Sequence, residues 1–400
     1  MPQQLPLIQF VERPGIIDLA WGHPDPILVP VDALRAAAAR AFDKYGPDAL
    51  AYGTPAGPGP LIDAICERLA ETDGRAPAPE EVLITGGSSP ALDQVVTLLT
   101  EPGDVVLVEA PTYHLAIRIF RDHPVRLVSV ASDADGLRLD ALATALDGVR
   151  AAGGRPRLLY TVPTHHNPTG RTMASERRAE LVAVAAREGI VIVEDDAYRE
   201  LSYDGPPPPS LWSLSAAPGS VIRLGTFAKS IAPGLRVGFM TADPATISRF
   251  ADGGMLDSGG GANHFTGLVV AEYMGSGDYA RCVDLLRDAF RERRDRMLRA
   301  LADLMPPESA WTRPGGGYFI WVDLPPGGDG SRLRPLAEAG GTSLLPGSTF
   351  FIDRGAGAGS IRLAFSRYSP AQLEEAIGRL ATVVRRQVPP ATMAAPPDMK

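Results

Sequence analysis

Six short apolar runs recur through the middle of the chain, separated by segments with helical spacing. They are Val82–Thr85, Val105–Glu109, Leu158–Val162, Ile190–Glu194, Val221–Leu224 and Val237–Thr241. Runs this short and this continuously apolar predict strands buried on both faces. Helical patterns lie between them, at Leu92–Leu99 and at Ser175–Glu188, where Gly189 is a suitable C-cap. Strands alternating with helices constrain the chain to an α/β fold, with a mostly parallel sheet covered on both faces. Ligands of such sheets collect at the carboxyl ends of the strands. Ser88, Tyr113, Asn167, Asp195, Tyr198 and Lys229 all fall at or just beyond those ends.

From Asp278 a long, highly charged helix leads away from this region, its charges reading as a solvated face. A smaller lobe is predicted beyond it, with strands at Gly317–Leu324 and Ser360–Phe365 and a helix from Pro370 to Arg386. The expected division is an N-terminal arm (1–45) contributing to the small domain, a large domain (46–285), a small domain (286–387) and a disordered Pro/Ala-rich tail (388–400).

Composition narrows the function classes. A formal net charge of −8 argues against a nucleic-acid or polyanion binder. No apolar run approaches the roughly 20 residues of a membrane span, and the N-terminus lacks the layout of a signal peptide. Cys66 and Cys282 stand far apart, and no His/Cys spacing supports a metal site. A soluble, cytoplasmic protein without a metal is expected.

The stretch Gly225-Thr-Phe-Ala-Lys229-Ser-Ile-Ala-Pro-Gly-Leu-Arg236 follows the apolar run Val221–Leu224. A lysine at a buried strand end, open to a cleft, can lose its proton and condense with an aldehyde. Thr226 and Arg236 beside it would hold an anion.

Eight segments, spread over nearly the whole chain, resemble in order those of the class I/II aminotransferases of fold type I, which use pyridoxal 5′-phosphate. They are Trp21-Gly22-His23-Pro-Asp-Pro, Tyr52-Gly-Thr-Pro-Ala-Gly, Thr85-Gly-Gly87-Ser88-Ser89, Ala110-Pro-Thr-Tyr113, Asn167-Pro-Thr-Gly170, Glu194-Asp195-Asp196-Ala-Tyr198, the Lys229 segment and Ile361-Arg362-Leu-Ala-Phe-Ser366. The resemblance is strongest to the 2-aminoadipate/kynurenine branch. It implies a seven-stranded, mostly parallel sheet in the large domain, a smaller α/β domain, and a homodimer with shared active sites.

The resemblance also implies roles. Lys229 would form the internal aldimine with the cofactor and later shuttle a proton, with a pyridoxamine form between the half-reactions. Asp195 would pair with the pyridine nitrogen; the family spaces that aspartate three residues before its tyrosine, which selects Asp195 over Asp196. Tyr198 and Asn167 would bond the ring oxygen, and Tyr113 would stack on the ring. Gly87, Ser88, Ser89, Thr226 and Arg236 would hold the phosphate, together with Tyr52 of the neighbouring subunit. Many relatives carry two glutamines where Ser89 and Pro90 stand here. Arg362 would bind the substrate α-carboxylate beside Asn167, Gly22 and His23. His166, directly before Asn167, is a candidate accessory group. Relatives often carry other polar or aromatic residues where His165 and His166 stand, and the segment Ser258-Gly-Gly-Gly-Ala-Asn-His264 is unusually rich in glycine.

The implied reaction moves an amino group from an L-amino acid to a 2-oxo acid. Elimination, replacement or cyclisation on an amino acid bearing a leaving group, such as S-adenosylmethionine, would share nearly every motif. A third reading, the effector domain of an aminotransferase-like transcription regulator, needs a DNA-binding domain ahead of the family pattern. That pattern begins near Trp21, so no such domain is expected.

Overall fold

The computed structural model describes residues 7–387. The expectation of a disordered tail at 388–400 lies outside the described residues. The first strand, β1 (Ile17–Asp18), belongs to a small two-stranded pairing described below. The next eight strands form one sheet. They are β2 (Val82–Thr85), β3 (Val105–Ala110), β4 (Arg126–Asp133), β5 (Gly136–Leu137), β6 (Pro156–Thr161), β7 (Val191–Asp195), β8 (Val221–Thr226) and β9 (Gly238–Thr241). Their spatial order is β2-β9-β8-β7-β6-β3-β4-β5.

All six apolar runs became strands of this sheet. The pairs from β4 through β8 are parallel, and β9 runs antiparallel to both β8 and β2. Seven strands match the expected sheet, and the eighth, β5, adds only a two-residue antiparallel edge on β4. Sequence patterning does not single out β4, because Arg126-Leu-Val-Ser-Val-Ala-Ser-Asp133 alternates and is only partly buried. Apolar clusters pack both faces of the sheet, one formed with Leu92, Val95 and Phe120 and another with Leu142, Leu181 and Trp212.

A second sheet contains β10 (Ala310–Trp311), β11 (Phe319–Asp323), β13 (Leu345–Pro346) and β14 (Ser360–Ala364), in the order β10-β11-β14-β13. The helices Gly330–Ala339 and Pro370–Gln387 pack on it around Leu333, Ile377 and Leu380. The remaining strand, β12 (Thr342–Ser343), pairs in parallel with β1. This ties the N-terminal segment to the smaller lobe, and Ala364 donates its N–H to the Leu19 carbonyl. The arm is not a single unit, however. The helix Val31–Tyr45 buries Ala37 and Ala41 in a cluster with Val269 and Val270, on the side of the large sheet.

The helix Asp278–Leu304 runs unbroken through the expected 285/286 boundary. Its charges are not all solvated. Arg293 is buried and donates to Asp25 Oδ2 and to the Ser366 carbonyl, both at 2.6 Å, pinning the N-terminal segment to the smaller lobe.

Candidate active site

Glu194 and Asp195 close β7 and Asp196 follows directly, and the alternation of extended chain sends neighbours to opposite faces. Glu194 accepts the backbone N–H groups of Leu211 and Trp212 at 2.9 and 3.0 Å. Asp196, on the same face, accepts from Arg223 Nη2 at 2.9 Å. Arg223 in turn reaches Asp73 at 3.0 Å, and Arg199 reaches Asp73 at 2.6 Å. Burial alone would raise Asp196, but Arg223, Arg199 and Arg178 hold it below the ordinary carboxylate range.

Asp195 points the other way, into a cleft of about 300 Å³. Its Oδ2 accepts from the Tyr160 hydroxyl at 2.7 Å, while the buried Oδ1 has no partner among the described residues. Burial pushes its pKa up to about 6; the Tyr160 hydrogen bond and Lys229 oppose the rise and Asp196 adds to it. An orphaned buried carboxylate oxygen facing a cleft calls for a cationic donor.

Lys229 enters the same cleft from the loop after β8, with Nζ 3.3 Å from the Gly22 carbonyl. Burial and the nearby Arg362 lower its pKa to about 8, against the pull of Asp195. About a tenth of the amine is then neutral at pH 7, far more than for a solvated lysine. Gly22 itself lines the cleft, and a Cβ there would stand 2.5 Å from the Phe319 ring. Tyr113 and Tyr198 complete the walls, and burial pushes the phenol of Tyr113 up to about 12. Burial raises Tyr198 well above its ordinary value, so both remain hydrogen-bond donors.

The floor at one end is the start of the helix Ser88–Leu99, whose first turn has no side-chain cap. Its free N–H groups make an anion site. Ser88, Ser89, Thr226 and Arg236 all line this end. Gly87 precedes the helix at φ 104°, where a Cβ would also press on Arg236 Nη2 at 3.0 Å. Arg236 bonds the Gly86 carbonyl at 2.8 Å, which places its guanidinium over that turn.

At the opposite end Arg362, from β14, is buried and lies over the Phe319 ring at 4.0 Å. It donates to Asn167 Oδ1 at 2.8 Å and to the Ala20 carbonyl at 2.5 Å, and its Nε has no partner among the described residues. A residue of the smaller lobe and one after β6 thus meet in one cleft.

The histidines separate. His23 lines the cleft, and burial, with Lys229 and Arg367 nearby, lowers its pKa to about 4, so it is neutral. His166 does not line it, which corrects the expectation of a substrate contact. Its ring is buried beneath the Asn167 turn, 2.8 Å from Thr169 Oγ1 and 3.5 Å from Glu109. His165 bonds Ser202 Oγ at 2.8 Å and packs on Gly316, where a Cβ would come within 2.3 Å of it. His264 bonds the Asp48 carbonyl at 3.0 Å, away from the cleft. The glycine-rich segment has a packing reason: a Cβ on Gly261 would meet the Thr54 carbonyl at 2.2 Å, and one on Gly260 the Gly53 backbone at 2.8 Å. Tyr52 sits on that contact, 86% exposed and outside this subunit's cleft. His114 also lines the cleft and does not stand out in the sequence, since a lone histidine after Tyr113 carries no distinguishing pattern.

The model of the family "Aminotransferase class I and II" matches residues 14–380. Aromatic-amino-acid aminotransferase 1 of Thermococcus litoralis is 34% identical over 96% of this chain and 91% of its own length. The kynurenine aminotransferase of Pyrococcus horikoshii superposes with a TM-score of 0.88 at 34% identity, covering 94% of this chain and 92% of that one. The α-aminoadipate aminotransferase of Thermus thermophilus, solved with N-(5′-phosphopyridoxyl)-L-leucine, gives 0.82 at 34% identity over 94% and 93%. The chain belongs to the aminotransferase class I and II family. It is an enzyme of that family, a pyridoxal 5′-phosphate-dependent aminotransferase acting on amino acids and 2-oxo acids. These relatives favour amino-group transfer over elimination or cyclisation.

The residues present fit the cofactor. The uncapped helix start under Arg236 suits a phosphate, the orphaned Asp195 oxygen suits a protonated ring nitrogen, and Lys229 suits an aldehyde. Among the described residues no cluster of His, Cys, Asp or Glu could hold a metal ion, and no helix is long and apolar enough to cross a membrane.

Proposed function

We propose that this aminotransferase works through Lys229, Asp195 and Tyr198, moving an amino group from an L-amino acid to a 2-oxo acid at this one cleft. The observation that carries the assignment is the joint presence of a lysine lowered to about 8 and an unpartnered buried Asp195 oxygen in that cleft. When bound, pyridoxal phosphate supplies a carbonyl that captures amines and a conjugated ring that accepts the electron pair released at the substrate Cα.

The chain's own residues do the rest. Gly87, Ser88, Ser89, Thr226 and Arg236 would hold the phosphate through backbone N–H groups, hydroxyls and one cation. Asp195 would keep the ring nitrogen protonated, because a buried carboxylate is stabilised by a cation in contact with it. Tyr113, which lines the cleft, would offer its flat side chain to the cofactor ring. Asn167, whose Oδ1 is taken by Arg362, has its Nδ2 left to donate to the ring oxygen beside Tyr198. Arg362 fixes the substrate α-carboxylate, a fork geometry matched to a planar anion. Lys229, as a neutral amine, would take up the substrate Cα proton and hold it for return. Gly22 and His23 border the substrate side.

We further infer a homodimer, in which the exposed Tyr52 of each subunit completes the phosphate site of the other. Its 86% exposure on a loop braced by Gly260 and Gly261 supports this reading. We further propose a cytoplasmic location and a division into an arm, a large lobe and a small lobe, the two lobes joined by the continuous helix Asp278–Leu304 rather than cut at 285.

A single-turnover assay tests the reaction. Mixed with an amino acid and no acceptor, the holoenzyme should release one equivalent of 2-oxo acid per site and then stop until a 2-oxo acid is added. Continued product formation without an acceptor would sink the transamination reading.

A further inference from the structure

Asp195 has one protein hydrogen-bond partner among the described residues, the Tyr160 hydroxyl at 2.7 Å. Tyr160 is wholly buried on β6, in the middle of a run that reads from sequence as plain sheet core. Its position follows from the parallel register. Tyr160 lies opposite Val193, and Val193 and Asp195 share one face of β7. A tyrosine two positions short of the aspartate is long enough to bring its hydroxyl to the carboxylate, where a phenylalanine would leave both aspartate oxygens bare. Phe120 meets the Tyr160 ring edge-on at 5.4 Å and restricts its tilt.

We propose that Tyr160 is a positioning residue for the cofactor: its hydroxyl clamps Asp195 Oδ2 so that Oδ1 alone is presented to the ring nitrogen. The inference rests on the reading of Asp195 given above. Two features of the site support it. The carboxylate oxygens are unequally treated, one bonded and one orphaned, in a site where free rotation about the terminal bond would exchange them. The phenol is also a permanent donor, because burial and the nearby Asp195 hold it well above its ordinary pKa. The other ionisable groups facing Asp195 are Lys229 and Tyr113, while Asp196 lies on the opposite face and Glu109 lies near Tyr160. Among the described residues none of these others is hydrogen-bonded to the carboxylate.

The test is a double-mutant cycle on cofactor release from the holoenzyme. Tyr160→Phe should weaken pyridoxal phosphate binding roughly ten- to a hundredfold, the range for a hydrogen bond to a charged group. It should also lower kcat while leaving the KM for the amino acid nearly unchanged. In an Asp195→Ala background the same change should have little further effect, because residues acting through one another are non-additive. Equal weakening in both backgrounds, or none in the wild type, overturns the proposal for Tyr160 alone. If Asp195→Ala leaves cofactor affinity unchanged, the assignment of Asp195 itself fails, and the proposal with it. Should Tyr160→Phe not fold, proton NMR of tyrosine-labelled wild-type holoenzyme gives the second measurement. A slowly exchanging Tyr160 hydroxyl proton that disappears in Asp195→Ala is expected. Its absence from the wild type overturns the clamp.

Discussion

The two faces of β7 carry the same residue types one position apart and treat them in opposite ways. On the far face Asp196 has its Oδ2 paired with Arg223, which also holds Asp73 and so links the strand to the helix Gly59–Asp73, while its Oδ1 has no hydrogen-bond partner among the described residues. On the cleft face Asp195 likewise keeps one oxygen unpartnered, but its other oxygen is held only by the neutral Tyr160 hydroxyl and it has no paired cation among the described residues. A buried carboxylate with its cations supplied by the chain is structural, and breaking one partner leaves an uncompensated charge. A buried carboxylate with a missing cation is poised for a ligand that brings one. The difference lies in the neighbours, since desolvation acts on both.

The largest effect that sharpens this contrast is on the cleft side. Lys229→Ala should abolish transamination and the absorption band of the lysine-bound cofactor, yet leave the unfolding midpoint of the apoprotein close to the wild type. A surviving band, or turnover within a factor of ten, would break the assignment. Next comes the far face. Asp196→Asn should destabilise the fold by about 3–5 kcal/mol, the cost of stripping a buried ion pair. Denaturant unfolding of the apoprotein reads this directly. Asp196, held low by its arginines, contributes stability above its unfolded pKa that is lost as pH falls through the folded value.

Asp195→Asn should do the opposite in the apoprotein. Its folded pKa of about 6 exceeds the unfolded 3.8, so the native state binds the proton more tightly. Its stabilising contribution is full below the unfolded value and is lost as pH rises through about 6. At pH 7 the variant should therefore be more stable than wild-type apoprotein by about 2–3 kcal/mol, while binding cofactor far more weakly. Matching signs for the two adjacent substitutions would erase the distinction between the faces.

The smallest effect is kinetic. Capture of cofactor by the apoprotein should speed up with pH and level off above about 8, tracking the neutral Lys229 amine. Arg362→Gln removes a nearby positive charge and should move that inflection upward, as stopped-flow absorbance would report.

Much of the site was legible because strand ends and turns carry local signals. Lys229 after an apolar run, glycines before the helix at Ser88 and the closely spaced Asp195 and Tyr198 all stand within a few residues of their structural cause. The less legible residues depend on partners far along the chain. His166 and His23 both border recognisable motifs, yet one is buried against Glu109 and the other lines the cleft. Nothing local to either histidine distinguishes them. Tyr160 reads as core because its hydroxyl partner lies 35 residues away on the next strand. Strand β4 was obscured by its alternating, half-exposed pattern.

The sequence by itself determined the α/β class, the succession of strands along the chain, the position of Lys229 and the alternation that separates Asp195 from Asp196. These depend on residue spacing and on backbone preferences that act over a few residues. Only the tertiary structure decided that β9 would run antiparallel, that Arg223 and Asp73 would reach Asp196, and that Tyr160 would claim one oxygen of Asp195. Those outcomes depend on which strand lies beside which, and on whether a buried charge finds its counter-charge within the fold.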